Sequence, residues 1–392
     1  MKKFFVLALA LIISSEMMAK NFIHQDEKII RDSTGAQVKL NGVNLGGWLL
    51  WEAWIWGGGF TKESKVRDNM NTLVGQNETD SFRINIYRNF IKEEDIKAIS
   101  EMGLNVVRVP FNHRIFEMIG GKVYGWEILD NLLKWCRKYH VYAVLDMHSA
   151  PGGNSPYFTA DPMKPDLWKD KKWRDQTIGL WKQIATRYAN DNIIAGYDLL
   201  NEPIPTKVDS LVKMYDQILK AIRTVDTNHL AILEGSNFAK DFTMFKKLPD
   251  KNMMFSFHIY TWFGGEPANK MDDFKSVVDQ LEVPIWCGEW GENKYEVIES
   301  TLKALTDTSN HFSGWCFWTW KKVLNSYPAL NQINVTQSWV DMIKWCANGS
   351  VKNSPGHDAG LAAMKEFESD MLIANTKRDD RMVKLLKDYN VH

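Results

Sequence analysis

The chain has 392 residues, 45% apolar and 24% charged. That is an ordinary globular balance and argues against a largely disordered, collagen-like or low-complexity protein. Lys+Arg and Asp+Glu are equal at 48 each, so no basic excess points to nucleic acid and no acidic tail to a cation buffer. The length exceeds one average domain, yet α/β barrels run this long as a single unit.

The N-terminus reads Met1-Lys2-Lys3, then the apolar run Phe4 to Ile13, then Ser14-Ser15-Glu16-Met17-Met18-Ala19. A positive start, a short greasy middle and a small-residue exit describe a secretory signal peptide over residues 1–19. The middle is short for a bilayer span. Cleavage after Ala19 removes Lys2, Lys3 and Glu16, which shifts the neutral chain to about −1. A mature domain over 20–392 is expected to be exported to a periplasm or the medium, with no membrane insertion after signal removal, and to be a monomer. The short, lysine-led signal looks bacterial, so the glycan-acceptor patterns at Asn77, Asn334 and Asn348 carry little weight. Four cysteines (Cys136, Cys287, Cys316 and Cys346) are too few for a disulfide scaffold. Cys287 and Cys316 fall on neighbouring strands and could bridge, but buried free thiols are the favoured reading.

No tandem repeat and no Pro/Ser linker divides the chain. An opening hairpin is expected from Ile29–Arg31 and Val38–Leu40, turning at Ser33-Thr34-Gly35. Strand-like runs follow at Gly42–Leu45, Asn105–Val109, Tyr142–Asp146, Gly196–Leu200, Leu230–Leu233, Met254–His258, Ile285–Gly288 and Gly314–Trp318. They are short and apolar on both faces, as parallel strands under helices are. Helical spacing appears from Glu93, at Thr177–Tyr188, Val208–Val225, Met271–Leu281 and Tyr295–Thr306, and over a long final stretch, Gly360–Tyr389. Eight strands alternating with helices predict a (β/α)₈ barrel, with residues after about 326 as an insertion and closing helix. An open doubly wound sheet would want a phosphate-binding glycine turn, and Gly57-Gly58-Gly59 lacks that spacing.

A barrel puts its chemistry at the C-terminal ends of its strands. The fourth strand ends Asp198-Leu199-Leu200-Asn201-Glu202-Pro203, and the seventh ends Ile285-Trp286-Cys287-Gly288-Glu289-Trp290. A carboxylate leaving an apolar strand is costly unless it faces a polar cleft or finds partners. Two glutamates facing one cleft can divide acid and base roles, which is what hydrolysis of a glycosidic bond needs. Glu202 is assigned as acid/base, with Asn201 beside it to donate to a sugar hydroxyl, and Glu289 as nucleophile. Arg108 lies inside a β-branched run and needs a carboxylate. Pairing with Glu289 would hold that carboxyl below its ordinary range. His148 and His258 end the third and sixth strands, and with Tyr260 suggest donors to sugar hydroxyls and to the carboxylates. Metal binding by His148, His258 and a glutamate is the rival, without the short-range ligand pair that usually marks such a site. Asp146 points to the same face as His148 and is expected to support it. Glu234 and Glu292 are competing carboxylates without an evident role.

Tryptophan is unusually frequent, at 17 residues, and its flat face suits sugar C–H groups. Trp318, ending the eighth strand, is expected to floor the sugar site. Trp135, Trp181 and Trp345 read as packing. Trp48, Trp51, Trp54, Trp56, Trp262 and Trp290 read evenly between packing and ligand contact.

With these residues in view, the chain over about 36 to 325 resembles glycoside hydrolase family five. Leu200-Asn201-Glu202-Pro203 and Gly288-Glu289-Trp290 carry the likeness, and Arg108, His148, His258, Tyr260 and Trp318 stand at the family's other active-site positions. The resemblance implies net retention, a covalent glycosyl–enzyme on Glu289, and no metal or organic cofactor. Gly42-Val43-Asn44-Leu45-Gly46-Gly47-Trp48 and Ala150-Pro151-Gly152-Gly153 resemble the exo-β-1,3-glucanase branch, where the residue matching Glu52 helps close the pocket. Asp161-Pro162…Leu167-Trp168 and Thr177–Tyr188 look like bacterial cellulase-type members. The implied substrate is a β-1,3- or β-1,4-glucan. Other readings are a mannan or glycolipid glycosidase of the same family, and a glycan-binding protein without catalysis.

Overall fold

The computed structural model describes residues 22–390, apart from 165, 263, 324–327 and 350–352. The expected signal peptide lies outside the described residues. Eight parallel strands close into a barrel: β1 Leu40–Asn44, β2 Val106–Asn112, β3 Tyr142–Ser149, β4 Ile194–Asp198, β5 Leu230–Glu234, β6 Met253–Ile259, β7 Ile285–Trp290 and β8 Gly314–Phe317. Each strand pairs with its neighbours in chain order, and β8 closes on β1 through Gly314 opposite Leu40. The longer helices are α1 Glu63–Val74, α2 Gln76–Asn89, α3 Glu93–Glu101, α4 Gly125–Tyr139, α5 Lys171–Tyr188, α6 Val208–Arg223, α7 Met271–Leu281, α8 Tyr295–Thr306, α9 Gln337–Asn348, α10 His357–Asp370 and α11 Asp380–Asp388.

Successive side chains of a strand point to opposite faces, and the barrel interior is therefore layered. The lower layer is apolar: Leu40, Val106, Val144, Leu230, Ile232, Met254, Trp286 and Cys316 form one cluster, which Ile23 and Ile30 of the N-terminal hairpin close from below. One step higher stand the small residues Gly42, Gly196, Ser256 and Gly288. The side chain of Arg108 is fully buried in the barrel. Above it the interior is polar. A register shift between β6 and β7 matches Phe257 to Cys287 but His258 to Glu289, so Gly288 is the extra residue of a bulge. A Cβ on Gly288 would lie 2.2 Å from Ser256 Oγ, which explains the glycine. Bulges re-aim the side chains that follow them, and Glu289 is that side chain here.

Several boundaries differ from the sequence reading. The arm Ile29–Arg31 forms its ladder with His24–Asp26. Toward Val38 the expected hairpin is reduced to one antiparallel bridge, Arg31 with Gln37, and the bond from Val38 N–H to Ile30 C=O, and Leu40 already belongs to β1. The expected turn is present, because Asp32 accepts from the N–H groups of Thr34 and Ala36. β2 and β3 run on to Asn112 and Ser149, whose side chains donate to Glu63 at the start of α1 and to Ala160 C=O in the loop after β3. β4 stops at Asp198. Leu199 and Leu200 are buried beyond its end, so apolarity does not mark where the ladder stops. The long final helix is two, α10 and α11. Between them Lys377–Arg378 pairs antiparallel with Asn331–Ile333, and Asp379 caps α11 by accepting from Met382 N–H.

The late segments divide in role. α11 packs on α8, and Asn390 just beyond it donates to Gly103 C=O next to α3, so this short helix closes the outer ring. α9 and α10 pack instead on α1 and α2. Trp339 stacks on Phe367 with centroids 3.8 Å apart, and its Nε1–H donates to Trp56 C=O at 2.8 Å. The insertion thereby supports the loop after β1. All four cysteines are buried free thiols, as favoured from sequence. Trp339→Ala should cost about 3–5 kcal/mol, the range for a fully buried aromatic truncation, read by chemical denaturation. Val208→Ser, at an exposed helix start, should stay within about 0.5 kcal/mol.

Candidate active site

A cavity of about 450 Å³ opens at the C-terminal ends of the strands. Its inner end is lined by Glu52, His148, Glu202, Tyr260, Glu289 and Trp318, and its mouth by aromatic side chains from the loops after β1, β3, β5 and β6. The two glutamates singled out from sequence meet here. One carboxylate oxygen of Glu202, one of Glu289 and a ring nitrogen of His258 all lie within 4.8 Å of one another.

Arg108 is the pivot beneath them. Its Nε donates to Asp198 at 2.9 Å, Nη1 to Glu289 at 3.2 Å and Nη2 to Glu234 at 2.9 Å. Asp146 Oδ2 lies 3.0 Å from Nη2. The side-chain oxygens of Asn44 and Asn201 accept at 3.1 and 2.8 Å. Arg108 thus holds Glu289, as expected, but shares its charge among four carboxyl groups. The electrostatic consequence differs from the expectation. Burial lifts the Glu289 carboxyl above its ordinary value, and His258 and Arg108 pull it back only in part, while Glu202 pushes it further up. Burial also raises Asp146, to about 8, and Asp198.

His258 is fully buried between two glutamates, Nδ1 at 2.9 Å from Glu202 and Nε2 at 3.2 Å from Glu234. Although burial opposes its charge, Glu234 and Glu289 raise its pKa well above the ordinary value. Both ring nitrogens then carry protons. Among the described residues the donors with metal-like spacing are Glu202, His258 and Glu289, and His148 is not among them, so the donor set expected from sequence does not assemble. Glu234 acquires the role it lacked: its second oxygen accepts the backbone N–H of Glu202 at 2.6 Å. Glu202 sits at φ 42°, a left-handed backbone that costs about 1–2 kcal/mol for a non-glycine residue. The strand end pins it there.

His148 is a neutral ring. Burial brings its pKa down to about 4. Nδ1 lies 2.7 Å from Asp146, and Nε2 lies 3.1 Å from Asn201 Nδ2. Nδ1 therefore carries the proton and Nε2 accepts, an assignment made from the partners. Trp318 stacks on this ring at 5.5 Å. Tyr260 O–H donates to the free oxygen of Glu289 at 2.6 Å.

Three residues expected to bind substrate do not line the cavity. Arg108, Asn201 and His258 are buried behind its wall. The Asn201 amide is engaged by Arg108 and His148, so these three position other groups. Glu292 accepts from Thr261 N–H and Oγ–H and fixes the loop after Tyr260. Trp54 and Trp262 reach the cavity, whereas Trp48, Trp51, Trp56 and Trp290 are core. Sequence reasoning missed Asp198, Asn44 and the mouth aromatics Phe60, Tyr157 and Phe238. Asp198 carried the same signal as Arg108, a charge inside an apolar strand. Asn44 donates to Gly288 C=O and Cys316 C=O and so ties Arg108 to β7 and β8. The aromatics lie on loops and carried no periodic signal.

Glu52 lines the inner end, almost fully buried. One oxygen accepts from Trp54 Nε1–H at 3.1 Å, and the other is buried without a hydrogen bond. Burial pushes its carboxyl up to about 8, against the pull of Trp54 and with a further push from Glu289 and Glu202. An unfolded glutamate titrates near about 4.3. Between these values the folded state holds more protons, so this group's stabilisation fades as pH rises through the window. Glu52→Gln keeps the neutral shape and removes the titration. Its melting temperature should gain on the parent's between about pH 5 and pH 8, and a difference independent of pH would contradict this account.

Comparison with known proteins agrees with the fold and extends it. A family model, cellulase (glycosyl hydrolase family 5), matches residues 32–323. A β-xylosidase of Phanerodontia chrysosporium is 29% identical over 331 residues, covering 75% of this chain and 69% of the relative. A probable glucan 1,3-β-glucosidase A of Emericella nidulans is 29% identical over 271 residues, covering 64% and 67%. Both relatives are fungal, so they lend the expected bacterial origin no support. The crystal structure of a rutinosidase from Aspergillus niger superposes with a TM-score of 0.62 at 18% identity, over 74% of this chain and 92% of that one; it shows the shared barrel. With the family model spanning most of the barrel and two acidic strand ends meeting in one cavity, the chain belongs to glycosyl hydrolase family 5 and is a glycoside hydrolase.

Proposed function

We propose that this enzyme is an exported, retaining hydrolase of β-glucan. The observation that carries the reading is the approach of Glu202 and Glu289, with oxygens within 4.8 Å. Retaining glycosidases hold their carboxyl groups about 5–5.5 Å apart, whereas inverting ones leave about 6.5–9.5 Å for a water. Two carboxyl groups this close can divide the roles of proton donor and nucleophile. Glu202 gives a proton to the glycosidic oxygen while Glu289, aimed by Arg108 and Tyr260, attacks the anomeric carbon. The leaving sugar departs as an alcohol. Glu202, now a base, takes a proton from water, whose oxygen replaces the Glu289 ester oxygen at the anomeric carbon. His258 beside both carboxyl groups offsets the negative charge that moves between them. Trp318 offers the sugar a flat floor, and Glu52, with one oxygen free of hydrogen bonds, presents a polar atom to its hydroxyls. The glucan preference rests on the relatives' names and on the loop after β1, which carries Glu52.

Glu202→Gln and Glu289→Gln should each lower hydrolysis of laminarin or barley glucan by at least about a thousandfold, with little change in melting temperature. The two should separate on aryl glucosides whose leaving group needs no proton. Glu202→Gln keeps a fast first step and accumulates the glycosyl–enzyme, seen by intact mass, and Glu289→Gln forms none. Near-native turnover by both variants would end the assignment. Among the described residues no helix is long and apolar enough to cross a membrane. Edman sequencing of the exported protein should begin at Lys20, and an N-terminus retaining Phe4 would refute export by cleavage.

A further inference from the structure

Two buried lysines lie outside the catalytic network, and they serve different ends. After β8 the chain runs through Lys321–Val323, which pairs parallel with Asn331–Ile333. This short strand backs the loop after β1. Val323 N–H donates to Ile55 C=O at 2.8 Å. Gly57 of that loop comes so close that a Cβ on it would lie 3.1 Å from the Val323 side chain. Neighbouring side chains of a strand point to opposite sides. Lys321 turns to the outer ring, where Asp95 of α3 lies 2.6 Å away and Phe90 C=O accepts at 2.7 Å. Lys322 turns to the loop after β1. Its Nζ stands 5.4 Å from the centroid of the Trp54 ring, and the residue is 3% exposed.

The ion pair with Asp95 accounts for Lys321, which ties the strand to α3. Lys322 faces an indole. An ammonium taken out of water is costly, and a charged group kept beside a cavity wall at that cost points to function. Burial brings its pKa down to about 7, so the side chain is charged on the acid side of neutrality. A cation over an indole face is attracted by the ring, more strongly where water is excluded. It fixes the ring and draws electron density from it, which strengthens the ring N–H as a donor. That Nε1–H donates to Glu52 at 3.1 Å. Trp54 and Glu52 both line the cavity, and Lys322 does not. The contacts from Lys322 to Trp54 to Glu52 therefore cross the wall.

We propose that Lys322 is a positioning residue: from behind the wall its ammonium holds the Trp54 ring, and through that ring the carboxyl of Glu52, in the arrangement that receives the sugar. The choice of substrate below rests on the β-glucosidic reading of the site. On that reading Trp54 and Glu52 meet the sugar away from the breaking bond. Contacts made equally in the ground and transition states move KM and leave kcat.

The test is a double-mutant cycle on 4-nitrophenyl β-glucoside at pH 6, combining Lys322→Met with Trp54→Leu and reading kcat and KM separately. Methionine keeps the apolar stem and removes the charge. In the parent background Lys322→Met should raise KM at least about fivefold, the scale of a desolvated cation–π contact, and leave kcat within about twofold. In the Trp54→Leu background the same change should move KM by less than about twofold, because the ring through which it acts is gone. A lysine that only packs against the loop would give the same loss in both backgrounds. Melting temperatures confirm folded protein, and Lys322→Gln takes the place of Lys322→Met if the latter does not fold. An unchanged KM, an equal rise in both backgrounds, or failure of both neutral variants to fold would overturn the proposal while leaving β-glucoside hydrolysis in place. A parent enzyme inactive on the glucoside and on β-glucan would remove the underlying reading, and this one with it.

Discussion

The site depends on one buried cation. Arg108 stands on β2 in the middle of the barrel with no exposure to water and touches carboxyl groups from β3, β4, β5 and β7. A guanidinium cannot shed its proton, and its fork of donors can hold several oxygens in fixed directions. Four strand ends are thus referred to one point. Removing the arginine itself would cost about 3–5 kcal/mol, because it leaves buried carboxyl charge without compensation, whereas loss of one carboxylate leaves Arg108 three others.

Sharing the cation has a chemical consequence. An arginine committed to Glu289 alone would keep that carboxyl low. Divided among four carboxyl groups, it cannot fully offset burial, and Glu289 ends above its ordinary value. His258 is the second cation, and it links Glu202, Glu234 and Glu289. Glu234 in turn fixes the left-handed backbone of Glu202. Positioning and proton affinity are therefore set by the same contacts. A change at Glu234 or Asn44 should be felt at the cavity without touching what lies in it.

The outer parts follow a different logic. α9 and α10 do not touch the cavity. They press Trp339 and Phe367 against the loop that carries Glu52 and Trp54. Sequence reasoning left this stretch as an insertion because its helical pattern is ordinary and its partner lies nearly 300 positions earlier. The same limit applied to Gly360–Tyr389. Met371, Leu372 and Ile373 continue a helical spacing, yet the chain turns to pair Lys377 with Gln332. Local periodicity cannot register a competing partner distant in the chain.

Residue order alone sufficed for the barrel, for the strand ends bearing Glu202 and Glu289, and for Arg108, His148, His258, Tyr260 and Trp318 as residues near them. These were legible because burying a charge in an apolar strand is expensive, so each charge advertises a partner. Which partner was not legible. The four-way sharing of Arg108, the protonated ring of His258, the service of Glu234 and the withdrawal of Asn201 behind the wall arise where strands distant in sequence converge. Proton affinity depends on the sum of burial and every charge within a few ångströms, and that sum exists only once the barrel has closed.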